Sequence, residues 1–215
     1  LYYLASREGR ANHPTLLIDL REEKLEGAPG AQAIPAFSCG GPLAFDPSAD
    51  AYQVAKAFKA LLAADSLSLD PALRNAMAQG IADRFDQDGL LSAESLLAQS
   101  ESFFQALETR FGKPDWSGRK YPLRCLWQDR RFQTVADLIW KTPNGWALVQ
   151  HSAWSGDPKN GARKALELSD WAFLSRLALE QSLQCENLRV FIHLVLSGEV
   201  FELRFPALSN QMKLF

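Results

Sequence analysis

The stretch 134–154, TVADLIWKTPNGWALVQHSAW, sets the fold expectation for the whole chain. Its first half is an apolar strand pattern carrying one acid, Asp137. Thr142-Pro143-Asn144-Gly145 then supplies turn chemistry, and a second apolar run from Trp146 ends in the polar triplet Gln150-His151-Ser152. Side chains alternate along a strand, so Gln150 and Ser152 share one face and His151 takes the other. Folded back on itself, this hairpin presents one carboxylate, one amide and one hydroxyl toward a common site.

The flanking segments alternate between helical and strand periodicity. Residues 1–20 read as a helical or extended stub followed by a strand at 15–20, and 27–47 is rich in Gly, Pro and Ala without a sustained period, so it reads as a linker. Val54, Ala57, Phe58, Leu61 and Leu62 recur at helical spacing over 50–64, with Ser48 or Asp50 as cap. Further helices are expected at 71–86 and at 92–111, the latter with a Ser92 cap and Glu94 in its first turn. Strands are expected at 121–127, 132–141 and 146–152, a helix at 161–183, and two last strands, 188–196 and 200–205, joined by Ser197-Gly198-Glu199. Helices first, then strands, a helix and strands, make an α/β chain with a mixed sheet between helical layers and additional N-terminal helices.

Composition narrows the function classes. With 215 residues, 47% of them hydrophobic and six tryptophans, the chain is long enough to bury a full core. A net charge of -2 makes the molecule as a whole no electrostatic trap for nucleic acid, so a DNA contact has to come from a local patch. The candidates are Arg119, Lys120, Arg130, Arg131, Lys159, Arg163 and Lys164; the competing reading is that these are solvated turn charges. No apolar run approaches the ~20 residues that span a bilayer and no signal peptide opens the chain, so a cytoplasmic location without membrane partners is expected. Three scattered cysteines with no C-x-x-C pair fit a reducing compartment. G-x-x-x-x-G-K-[ST] is not found, so ATP binding through a P-loop of this piece is excluded.

The hairpin of 134–154 resembles the core of the PD-(D/E)XK nuclease superfamily, and more closely the C-terminal nuclease domain of helicase-nuclease subunits of the exodeoxyribonuclease V beta and AddA type. There the run reads G-x-I-D-L-L, a short turn, then G-W-x-x-I-D-H-K-S. It aligns here without a gap, placing Asp137 on the first acid, Gln150 on the second, His151 on the histidine and Ser152 on the lysine. Upstream, Ala55-Lys56-Ala57-Phe58-Lys59 stands where active members carry G-x-x-x-H, with Lys59 in place of the metal-binding histidine. Lys120-Tyr121-Pro122 takes the acid-x-proline step, and Glu167-Leu168-Ser169-Asp170-Trp171 the later Q-L-x-x-Y. The order of these marks covers roughly residues 50–205.

The opening residues LYYLASR resemble the last conserved motif of superfamily 1 helicases, L-Y-V-A-L-T-R, whose arginine reaches the terminal phosphate of the nucleotide; Arg7 is its counterpart. With a first residue that is not Met, this implies a longer parent: residues 1–26 as a remnant of a preceding helicase domain, 27–47 as linker, 48–215 as the nuclease-like domain. ATP and magnesium belong to that parent helicase, and its upstream domains, a second subunit and DNA are the implied partners.

What the resemblance implies for chemistry is negative. Magnesium wants oxygen ligands, usually including one or two carboxylates, and the attacking hydroxide wants an ammonium beside it. The degenerate positions Lys59, Asp137, Gln150 and Ser152 offer a single acid. A lysine ~4 Å from a divalent ion costs roughly 8 kcal/mol at an effective dielectric near 20. The expectation is a Lys59–Asp137 ion pair in place of a metal, no cofactor, and a binding role in a bacterial DNA-repair helicase of the UvrD/Rep type. Two alternatives stay open: an active metal-dependent DNA exonuclease whose ligands have moved to Asp129, Asp157 or Glu167, with magnesium, and a protein-interaction module without DNA contact. Asp137 also reads as a buried acid meeting a backbone donor, His151 and His193 as packed side chains, and the tryptophans as core or rim.

Overall fold

The computed structural model describes residues 25–86, 89–128, 130–183, 185 and 187–206, together with the backbone of two strands at 2–6 and 16–19. Arg7 and Asp129 lie outside the described residues. The chain is α/β, with one mixed sheet flanked by helices.

Local chemistry starts each helix where the sequence places it. The Asp50 carboxylate accepts from the backbone N–H groups of Tyr52 and Gln53 and opens α1 (Ala51–Ala64). Asp70 does the same for α2 (Pro71–Phe85), whose Pro71 sits in the first turn, where its missing N–H costs nothing. Ser92 caps α3 (Ala93–Phe111), which ends at Gly112 with φ 89°.

Eight strands form the sheet: β1 (Tyr2–Ser6), β2 (Leu16–Asp19), β3 (Gln32–Ser38), β4 (Trp116–Trp127), β5 (Arg130–Thr142), β6 (Gly145–Ser152), β7 (Leu188–Leu194) and β8 (Glu199–Arg204). Their order is β2-β1-β5-β6-β7-β8-β3, with β4 on the other edge of β5. Among the described strands only β6 and β7 run parallel, and between them the chain crosses over through α4 (Gly161–Leu166) and α5 (Ser169–Leu183). Helices α1 to α3 cover one face around Phe58, Phe103, Phe104 and Leu107. Helix α5 covers the other around Trp171, Phe173 and Leu174. Trp127, Trp140 and Trp171 are buried, and Trp146 and Trp154 pack against the α5 side.

Three expectations change. The stretch 27–47 reads as a linker, yet Gln32–Ser38 forms β3 and pairs with β8, while β1 upstream pairs with β5 of the same sheet. Pro35 explains the misreading: proline is confined to sheet edges and bulges, β3 is an edge strand, and its register shifts between Pro35 and Phe37. Second, β4 begins at Trp116 rather than 121. Third, the helix expected over 161–183 breaks after Leu166 into α4 and α5.

The tight β7–β8 turn depends on Gly198, at φ 70°. A Cβ there would stand 2.2 Å from the Gly41 carbonyl oxygen, so no other residue fits.

Candidate functional site

The β5–β6 ladder runs from Thr142↔Gly145 to Leu138↔Val149, and the upstream part of β5 pairs instead with β1. Asp137 stands where β6 and β5 part company. Its Oδ2 accepts the backbone N–H of His151 at 2.9 Å, so a side chain supplies the acceptor that a strand carbonyl would have given. The carboxylate is 4% exposed.

Two ammonium groups converge on it. Lys120 Nζ lies 2.5 Å from Oδ1 and Lys59 Nζ 3.6 Å from Oδ2. Lys59 comes from α1, beside Phe58 on the buried stripe of that helix. Lys120 comes from β4, where the register pairs on either side, Arg119↔Leu138 and Tyr121↔Ala136, set it directly across from Asp137. Its backbone takes φ 48°, an unfavourable conformation for a side chain with a Cβ. Formal charge at the centre is therefore +1, one carboxylate against two ammoniums. Burial lowers the Lys59 pKa, Asp137 pulls it back up, and the charge of Lys120 lowers it again.

Behind this centre lies a neutral polar pair. His151 and His193 are register partners on β6 and β7, and their Nδ1 atoms are 3.1 Å apart, so one ring donates and the other accepts. Burial holds both pKa values well below 6.5; for His151 the charges of Lys59, Lys120 and Arg119 add to it, and for His193 His151 and Lys59 do, against Asp137. Phe103 stacks on the His193 ring, with centroids 4.6 Å apart and 8° between planes. His193 Nε2 is buried without a hydrogen-bond partner among the described residues. These histidines are packed groups in the α1–α3 core.

Gln150 and Ser152 occupy the opposite face of β6. Their β7 partners, Ile192 and Leu194, belong to the core under α5, and both side chains are buried. The Gln150 Oε1 atom has no hydrogen-bond partner among the described residues. Of the four degenerate positions, the fold thus joins Lys59 to Asp137 and leaves Gln150 and Ser152 out of the ion-pair network. Asp157 and Glu167 are engaged elsewhere, the first accepting from the Lys159 backbone and the second pairing with Lys164 at 2.7 Å.

The basic candidates fall in three places. Arg119 and Lys120 flank Asp137 on β4. Arg130 and Arg131 open β5, and Lys159, Arg163 and Lys164 lie on the turn Pro158–Asn160 and on α4, which packs toward β3 and β8. Sequence reasoning placed Lys120 among DNA contacts and missed it as the nearest partner of Asp137. Its signal was the strand count: an antiparallel register that closes at Trp127↔Arg130 puts 120 opposite 137.

Magnesium does not fit this donor set. One carboxylate already holds two ammoniums and a backbone N–H, and Gln150 and Ser152, both neutral, lie on the other face of β6, so nothing here neutralises a divalent ion. No protein-family model matches this chain, and no curated protein matches it either.

Proposed function

We propose that this chain is a PD-(D/E)XK nuclease-like domain that no longer cuts DNA and works by binding, as the C-terminal part of a bacterial UvrD/Rep-type helicase related to the exodeoxyribonuclease V beta type. The carrying observation is the occupation of Asp137. Both carboxylate oxygens, which a catalytic ion would need, face ammonium groups, with Lys120 at 2.5 Å and Lys59 at 3.6 Å. A mixed sheet whose central hairpin parts at that acid is consistent with the restriction-endonuclease-like arrangement. The same ammoniums that exclude a metal leave an excess positive charge, which suits a DNA backbone.

Hydrolysis and binding assays separate this reading from its rivals. Linear duplex and single-stranded DNA should stay intact with magnesium or manganese while binding weakens as salt rises. Metal-dependent cleavage lost in Asp137→Ala would establish the active exonuclease with relocated ligands. Absence of both cleavage and binding would leave a module that contacts protein partners.

A further inference from the structure

One residue before Lys120 on β4, a further cation stands under quite different conditions. The Arg119 guanidinium lies over the Phe104 ring, 4.7 Å from its centroid, and has no hydrogen-bond or ion-pair partner among the described residues. Asp65, the acid whose charge it feels, is already closed: Arg74 holds both carboxylate oxygens at 2.7 and 2.9 Å and the Ser100 hydroxyl adds a third contact at 2.7 Å. Burial lowers the Arg119 pKa, with Asp65 opposing. A guanidinium half removed from water without an anion is under-compensated.

Arg119 lines a cavity of about 430 Å³ between the α1–α2 turn, α3 and the start of β4. Three serines line the same space, Ser66, Ser68 and Ser117. Ser66 and Ser68 are joined Oγ to Oγ at 2.9 Å; one proton serves that bond and the other is left to donate outward. Lys113 and Glu108 line the cavity too and offset one another, so the net charge on the wall is that of Arg119. A forked cation among serine hydroxyls, on a wall whose charges sum to +1, matches a tetrahedral oxyanion better than a metal ion.

We infer that the Arg119 cavity is a binding site for a phosphate group, held by the guanidinium fork and by the serine hydroxyls. The phosphate has two sources, free inorganic phosphate or the end of a nucleic acid strand. This site does not depend on Asp137 being a former nuclease centre, so its success or failure is separate from that reading.

Calorimetric titration of the whole chain with inorganic phosphate, and with one short single-stranded DNA carrying or lacking a 5′-phosphate, tests it. Phosphate should bind, and Arg119→Gln should weaken it by about tenfold or more, as loss of a charge-assisted fork does. Arg119→Lys should keep part of the affinity, since the charge remains without the fork. Ser117→Asp, which puts a carboxylate on the cavity wall beside Arg119, should abolish binding while thermal melting stays near that of the parent. Tighter binding of the phosphorylated strand than of free phosphate assigns the site to strand ends; equal binding assigns it to small phosphates. If neither probe binds, or if Arg119→Gln and Ser117→Asp bind as the parent does, the inference is wrong.

Discussion

Asp65 and Asp137 are both acids buried beside α1, and they are satisfied in opposite ways. Asp65 meets one guanidinium at two points and one hydroxyl, so charge and hydrogen-bonding capacity both close. Asp137 meets two ammoniums and one backbone N–H, and positive charge is left over. The first arrangement is what a fold needs to bury an acid. The second has one cation more than stability requires, and Lys120 holds its place with a disfavoured backbone conformation. That surplus is the feature that points to function.

The largest contrast should come from removing one cation at each acid. Arg74→Met leaves Asp65 buried and unpaired and should cost about 3 to 5 kcal/mol in urea unfolding. Lys59→Met leaves Lys120 on Asp137 and should change stability by no more than about 1 kcal/mol in either direction. Equal costs would mean that Lys59, too, is indispensable to its acid.

Acid sharpens the same contrast. Burial depresses the folded pKa of His151 and His193 below 6.5, so under acid the unfolded chain binds protons that the folded chain refuses. Stability is thus fully present above pH 6.5 and falls below it, by up to about 2.7 kcal/mol per pH unit for two such groups. Asp65 behaves differently. Burial raises its pKa, but the Arg74 and Ser100 hydrogen bonds and the Arg74 charge more than offset that and hold it below 3.8, so its contribution is lost only as pH falls below that value. Denaturant unfolding from pH 7.5 to 3 should show an early loss from the histidines, halved in His193→Phe, and a later one from Asp65.

Smallest of all should be Lys120→Gln. Its side chain is 49% exposed, so its pair with Asp137 should be worth under about 1 kcal/mol, despite the short contact. Salt-dependent DNA binding, by contrast, should weaken noticeably in this variant.

Much of the fold was legible because local signals and tertiary packing agree. Asp50, Asp70 and Ser92 mark helix starts by capping chemistry, and the Pro143-Asn144 turn joins β5 to β6 as its residue types demand. The failures have physical causes. Strand β3 was hidden by Pro35 and by small residues that carry no period, and its identity comes from β8, more than 160 residues away. The hinge between α4 and α5 has no proline or glycine to announce it. At the site, the sequence brought Lys59 to Asp137 but not Lys120, because cross-strand partners depend on register and register depends on the whole sheet. Arg119 was legible as a basic residue; that it lacks an acid could be seen only in three dimensions.

Lys59 and Lys120 hold the Asp137 carboxylate that a divalent ion would have to share. Whether they exclude a metal is read by titrating manganese into the chain by calorimetry, beside Asp137→Ala and with linear DNA checked for cleavage. Identical heats for the two proteins and intact DNA are expected. A one-to-one manganese site of micromolar affinity that disappears in Asp137→Ala would overturn the ion-pair reading of Asp137.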